Sequence, residues 1–123
     1  MARLDPLSEL IEATPGLEAV ALMRYDGAIT SAVGPKSDEL RHCASFAIGI
    51  ADLAARLSEE SQRGRCRLHL TVAEFGAIVV QHLDEHRTLV AIASSDVALG
   101  TLVHDLGVAS ALLLEQGEQP WTP

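Results

Sequence analysis

The sequence predicts an α+β domain of the order α-β-β-α-β-β-β-α: a five-stranded antiparallel sheet sandwiched by one long helix on one face and two helices on the other. Three observations predict it. The stretch 38–60 holds no proline, and at about 100° per residue its apolar positions cover roughly two-thirds of a helical wheel. Asp26-Gly27 joins two apolar runs, a short-range signature of a β-hairpin. Between 65 and 93, three further apolar runs are separated by the turn-forming groups Glu74-Phe75-Gly76 and Asp84-Glu85-His86, as in a meander. A chain of 123 residues forms one domain by the usual size prior, here placed at 1–115 with a flexible polar tail at 116–123.

Taken in order, Leu4, Leu7, Leu10, Ile11 and Thr14 recur at helical spacing, with Asp5 as a cap and Pro6 at the first helical position. Pro15-Gly16 stops that helix. Residues 17–25 and 28–33 form the hairpin strands, and a type I′ turn at Asp26-Gly27 requires positive φ at both positions. Ala19, Ala21 and Met23 alternate with Val20 and Leu22, so both faces of the first strand are apolar and both need a covering layer. Gly34-Pro35 breaks the chain, Ser37 or Asp38 caps the long helix, and Gly64 is the expected left-handed residue after it. In 65–72, Cys66, Leu68, Leu70 and Val72 alternate with Arg65, Arg67, His69 and Thr71, which reads as a half-buried edge strand. Ala77-Ile78-Val79-Val80 is continuous and apolar, as an interior strand is. Thr88-Leu89-Val90-Ala91-Ile92-Ala93 completes the meander. Ser94, Ser95 or Asp96 caps the last helix, whose stripe is Leu99, Leu102, Val103, Leu106, Ser110 and Leu113. Gly100 and Gly107 disfavour that helix and are read as permitting close packing.

The long helix has more apolar surface than one sheet face needs. Ala44, Ala47, Ala51 and Ala54 make a smooth centre suited to lying on the sheet, while Phe46, Ile50, Leu53 and Leu57 form a bulkier flank. The surplus points to a second copy of the chain. The remaining polar arc holds Arg41, His42, Ser45, Asp52, Arg56, Glu59 and Glu60, with Asp52–Arg56 and Arg56–Glu60 spaced as i,i+4 ion pairs.

A formal charge of −8 disfavours nucleic acid and anionic membrane surfaces as partners. The apolar runs are shorter than the roughly 20 residues of a membrane span, and the first six residues lack the apolar core of a signal peptide. Two cysteines without such a signal suggest a reducing, cytoplasmic setting. Arginine outnumbers lysine eight to one, as GC-rich bacterial genomes favour.

Nucleophilic catalysis would call on Cys43 or Cys66 with a histidine, but both cysteines fall at apolar positions, where a thiol behaves as a small hydrophobe. His69, His82, His86 and His104 lack metal-ligand spacing, although His69 and His82 are candidate cross-strand neighbours. There is no Gly-rich phosphate loop, so nucleotide hydrolysis by the chain itself is not expected. Arg41, Arg56, Arg65 and Arg67 are read as exposed arginines. No cofactor, metal or enzymatic activity is expected.

Thr14-Pro15-Gly16-Leu17-Glu18-Ala19-Val20, Tyr25-Asp26-Gly27-Ala28-Ile29 and Leu89-Val90-Ala91-Ile92-Ala93, the last followed by Leu99-Gly100, together resemble the Roadblock/LC7 family over 4–114. Thr30-Ser31-Ala32-Val33-Gly34-Pro35 matches the family only loosely, and Ala98 stands where asparagine is frequent. The resemblance implies a homodimer whose third strands pair edge to edge and whose long helices lie side by side. It also implies a non-catalytic regulator or adaptor of Ras-like small GTPases; bacterial members include a partner of the gliding-motility GTPase that accelerates its GTP hydrolysis. Mapped onto this sequence, the dimer interface is expected at Phe46, Ile50, Leu53, Leu57, Cys66, Leu68 and Leu70. The GTPase contact is expected at Arg41, His42, Ser45 and Gly49. The alternative is a purely structural adaptor without effect on GTP turnover.

Overall fold

The computed structural model describes residues 5–115; Leu4 and the tail 116–123 lie outside the described residues. The elements are α1 (Pro6–Ala13), β1 (Leu17–Arg24), β2 (Ile29–Val33), α2 (Ser37–Glu60), β3 (Leu68–Ala73), β4 (Gly76–His82), β5 (Arg87–Ser94) and α3 (Leu99–Glu115). All strand pairs are antiparallel, in the order β2-β1-β5-β4-β3. The predicted order and sheet are therefore the observed ones, with β5 central and β3 at an edge.

The two-sided apolar strands explain the three layers. Ala19, Ala21, Met23, Val80, Val90 and Ile92 meet Leu40, Ala44, Ala47 and Ala51 of α2. On the other face Val20, Leu22, Val79, Leu89 and Ala91 meet Leu7 and Leu10 of α1 and Leu102, Leu106, Ala109 and Leu113 of α3. Because side chains alternate along a strand, each strand serves both cores. A polar tie joins the helices of the second face: the Thr14 hydroxyl donates to Asp105 Oδ2 at 2.7 Å.

The first turn realises its sequence signature. Leu17 N–H bonds the Thr14 carbonyl at 3.1 Å with Pro15 and Gly16 between them. Gly16 has φ +93, and a Cβ there would lie 2.9 Å from Val97 Cα. This is a type II turn in which glycine answers both the backbone and the space.

Several local expectations are corrected. The first hairpin is not a two-residue type I′ turn. Arg24 and Ala28 close a three-residue loop through Arg24 N–H to Ala28 O at 2.8 Å, and Gly27 N–H reaches Arg24 O at 2.9 Å. Gly27 has φ 90 and Asp26 does not have positive φ, so one left-handed residue after an ordinary turn suffices. Asp5 and Ser37 or Asp38 make no side-chain caps; Asp5 and Lys36 hold the N-cap positions of α1 and α2 without such bonds. Ser94 and Asp96 belong to a tight turn before α3, with Val97 N–H on Ser94 O at 3.2 Å, and the helix begins from Ala98, whose carbonyl accepts Leu102 N–H at 2.9 Å.

At the end of α2 the C′ residue is Gln62 (φ 63); Gly64 also has positive φ (89) but lies two residues further on. Gln62 N–H bonds Glu59 O at 2.9 Å and Arg63 N–H bonds Ser58 O at 2.9 Å, the paired bonds of a Schellman motif. β3 starts at Leu68 rather than at residue 65. The last bond of that ladder is His82 N–H to Arg67 O at 3.0 Å; β4 ends there, leaving nothing to pair with Cys66 or Arg65. Gly100 and Gly107 do not serve close packing: both are exposed, and a Cβ at either would meet nothing within 4 Å.

Gly107→Ala is expected to raise the unfolding free energy by about 0.5–1 kcal/mol, and Gln62→Gly by about 1 kcal/mol, both read by urea denaturation. Thr14 and His104 hydrogen bonds hold the Asp105 carboxyl below its usual pKa. A depressed carboxyl stabilises the fold above its unfolded pKa and loses that contribution as pH falls through the folded value. Asp105→Asn should therefore flatten the loss of stability on acidification below the ordinary carboxylate range, measured as melting temperature against pH.

Candidate functional site

Leu40, Ala44, Ala47 and Ala51 form the buried line of α2. Alanine's single methyl lets the helix axis sit close to the sheet, which confines the buried arc to a narrow strip. The larger residues are thereby displaced to one flank. Phe46 and Leu57 are each 71% exposed, Leu53 65% and Ile50 43%. Their spacing of four, three and four residues is that of a coiled-coil seam. It is also symmetric about the point between Ala51 and Asp52, so an antiparallel copy would present the same seam, Phe46 meeting Leu57 and Ile50 meeting Leu53.

Between this flank and the sheet edge runs a shallow groove of about 80 Å³, where Cys43, Phe46 and Ile50 face His69 and Thr71 of β3. His69 Nε2 and Thr71 Oγ1 are 3.1 Å apart. These two residues are the ones sequence reasoning missed. Alternation put them on the polar side of β3, but only the tertiary structure shows that this side faces α2. Register gives the reason: His69 stands opposite Val80, a residue of the α2-side core.

The expected interface residues divide accordingly. Phe46, Ile50, Leu53 and Leu57 share one flank. Leu68 and Leu70 are half-buried against the core of the opposite face, and Cys66 precedes the strand with its thiol 3.6 Å from Leu68 O. Leu68 and Leu70 lie on β3, whose outer side has no neighbouring strand among the described residues. Arg41, His42, Ser45 and Gly49 are all exposed on the solvent side of α2, and a Cβ on Gly49 would meet nothing within 4 Å. The anticipated Asp52–Arg56 and Arg56–Glu60 pairs do not form. Exposed partners on long side chains gain too little to be held in one geometry.

The candidate chemical groups are dispersed. Cys43 is half-buried with its thiol 3.5 Å from Leu40 O. His82 is not directly opposite His69 but two residues further along β4. His86 packs edge-on to the Tyr25 ring at 6.1 Å, and His104 Nδ1 is 3.2 Å from Asp105 Oδ1. Among the described residues no group of three or more His, Cys, Asp or Glu side chains is arranged to hold a metal ion. Nor is any helix among them long and apolar enough to cross a membrane.

Ala51→Leu is expected to lower the unfolding free energy by about 1–3 kcal/mol by overpacking the helix–sheet contact. Leu53→Ala, on the open flank, should cost under about 0.5 kcal/mol when urea titrations are run at high dilution.

Compared with protein-family profiles and with curated protein sequences, the chain matches none. Solved structures are similar. A Roadblock/LC7 domain from Streptomyces avermitilis superposes with a TM-score of 0.82 at 19% identity, covering 93% of this chain and 97% of that one. The gliding protein MglB from Thermus thermophilus gives 0.78 at 21% identity, covering 88% of this chain and 82% of its own. Myxococcus xanthus MglB gives 0.77 at 17% identity, covering 93% and 90%. Two layers of helices on an open β2-β1-β5-β4-β3 sheet, in this connection order and at this level of superposition, are the Roadblock/LC7 fold, and that is the fold of this chain.

Proposed function

We propose that this chain is a homodimeric, non-enzymatic adaptor that binds a Ras-like small GTPase and modulates its nucleotide cycle. One observation carries the reading: a seam of four large apolar residues lies open on α2 beside an edge strand with no neighbour among the described residues. A monomeric protein rarely leaves such a continuous patch to water. An isologous contact satisfies it, because a two-fold axis near Ala51 sets the seam against itself. The same axis brings β3 of the two copies alongside, where Leu68 and Leu70 would extend their half-buried rows across the junction.

In such a dimer the two α2 helices form one ridge whose outer surface carries Arg41, His42, Ser45 and Gly49 from each copy. Small residues at positions 45 and 49 leave that surface flat, and Arg41 and His42 provide donors for an acidic or polar partner. The resemblance to Roadblock/LC7 proteins supports a small GTPase as that partner, and the likeness in fold to MglB structures supports it further. One similar structure is described as MglB in a tetrameric arrangement, which supports self-association as a use of this fold.

Sedimentation at micromolar concentration tests the dimer. Wild type should run at twice the protomer mass, and Leu53→Glu should run as a monomer with an unchanged circular dichroism spectrum; a monomeric wild type would refute the interface. For the partner, the small GTPase encoded nearest this gene should bind the dimer and change its hydrolysis or exchange rate. Arg41→Glu should weaken that binding at least tenfold without altering the dimer mass. Binding without any change in nucleotide turnover would establish the structural-adaptor reading instead.

A further inference from the structure

The chain builds a second concave surface, away from the seam, where α2, β4 and the β4–β5 turn come together. It is a cleft of about 710 Å³, within the range of small-molecule sites and far larger than the space of a few waters. Its α2 wall is Ala55 and Glu59, on the flank opposite Phe46, Ile50, Leu53 and Leu57.

Three features of the lining point to an anion. First, Arg63, Arg65 and Arg67 all line it. A chain of net charge −8 with eight arginines thus concentrates three of them within five residues. No ion pair or hydrogen bond engages their guanidinium groups among the described residues. Second, His82 Nε2 and Gln81 Oε1 are buried polar atoms without a hydrogen-bond partner, and both residues line the cleft. Buried polar atoms in folded proteins are nearly always paired, so two orphans at one place mark a site for something else. They are adjacent residues at the end of β4, which stops at His82.

Third, the local acids do not cancel the arginines. Asp84 is already occupied: its Oδ1 accepts the His86 and Arg87 backbone N–H groups, each at 2.8 Å, and its Oδ2 accepts Arg87 Nη2 at 2.7 Å. Partial burial works against its charged form, but the Arg87 side-chain bond and these backbone bonds prevail and hold its pKa low. That leaves Glu59 and Glu85 against three guanidiniums. The arginine loop is also pinned at both ends. The Ser58 hydroxyl donates to Gly64 O at 2.7 Å, and Arg67 O accepts the His82 N–H at 3.0 Å. The carbonyls of Leu57, Ser58 and Glu59 are occupied by the N–H groups of Ser61, Arg63 and Gln62, which blunts the negative end of α2 that would otherwise repel an anion.

We propose that this cleft binds a small phosphorylated organic molecule. Its phosphoryl group is held by Arg63, Arg65 and Arg67, whose planar forks match phosphate oxygens. Its organic body donates a hydrogen bond to Gln81 Oε1 and makes another with His82 Nε2. The site lies on the flank of α2 opposite the seam, and none of its proposed ligand-binding residues belongs to that seam.

Titration calorimetry and His82 ring resonances test it on the full chain at constant ionic strength. The probes are AMP, ribose 5-phosphate, inorganic phosphate and citrate, with sodium chloride as the reference. At least one of the two organic phosphates should bind saturably, at least tenfold tighter than inorganic phosphate or citrate, and should shift the His82 signals. Arg65→Gln/Arg67→Gln should weaken that binding at least tenfold with the melting temperature in chloride unchanged, and Gln81→Leu should weaken it while leaving the residual inorganic phosphate affinity intact. Absence of saturable binding by either organic phosphate overturns the proposal. So does inorganic phosphate or citrate binding as tightly as both, which would make this an ion site only, and so does binding indifferent to the arginine pair.

Discussion

The contact between α2 and the sheet depends on the size of four side chains. Leu40, Ala44, Ala47 and Ala51 are nearly inaccessible to solvent, and three of them are alanine. A helix docked through methyl groups sits lower than one docked through leucines, so it covers the sheet with a narrow contact strip. Every bulky apolar residue on its exposed flank then has to be left in the open. The seam at Phe46, Ile50, Leu53 and Leu57 is a consequence of that close docking. The groove beside β3 follows as well, because a low helix over the middle strands leaves the edge strand half covered.

The opposite face is held differently. There α1 and α3 present leucines to the sheet, pack against each other, and are tied by the Thr14 hydroxyl on Asp105. The difference accords with the glycines of α3, which face solvent and contribute nothing to packing. One face thus ends as a closed core. The other ends as a platform with unfinished apolar surface at Phe46, Ile50, Leu53 and Leu57.

Charge is arranged to match. Acidic residues are spread over the surface, whereas the arginines after α2 are gathered at one corner beside a turn whose own carboxylate is already taken by Arg87. Seam and cleft lie on opposite flanks of the same helix. In the proposed reading the apolar flank meets a second copy and the basic corner a small charged ligand.

Element order, strand assignment and both cores were legible in the sequence, because alternation in β1, continuity in β4 and β5 and the alanine line of α2 are local periodicities that burial must obey. The seam was legible for the same reason: an apolar arc wider than one contact needs a second. Pro15-Gly16 announced its turn through backbone chemistry alone. Other features were decided only by the tertiary structure. The side of β3 bearing His69 and Thr71 was polar by pattern, yet it faces α2, since alternation says which residues share a face and not which face is covered. Gln62 rather than Gly64 takes the C′ position because Gln62 and Arg63 are the residues whose N–H groups close on the Glu59 and Ser58 carbonyls. Gly100 and Gly107 looked like packing residues until the neighbouring elements were seen to be elsewhere. The basic cleft needed Arg63, Arg65 and Arg67 to meet Gln81 and His82, residues more than a dozen positions away in sequence. Local propensity fixes elements and their apolar faces; which faces meet, and what polar groups are left without partners when they do, depends on contacts between distant segments.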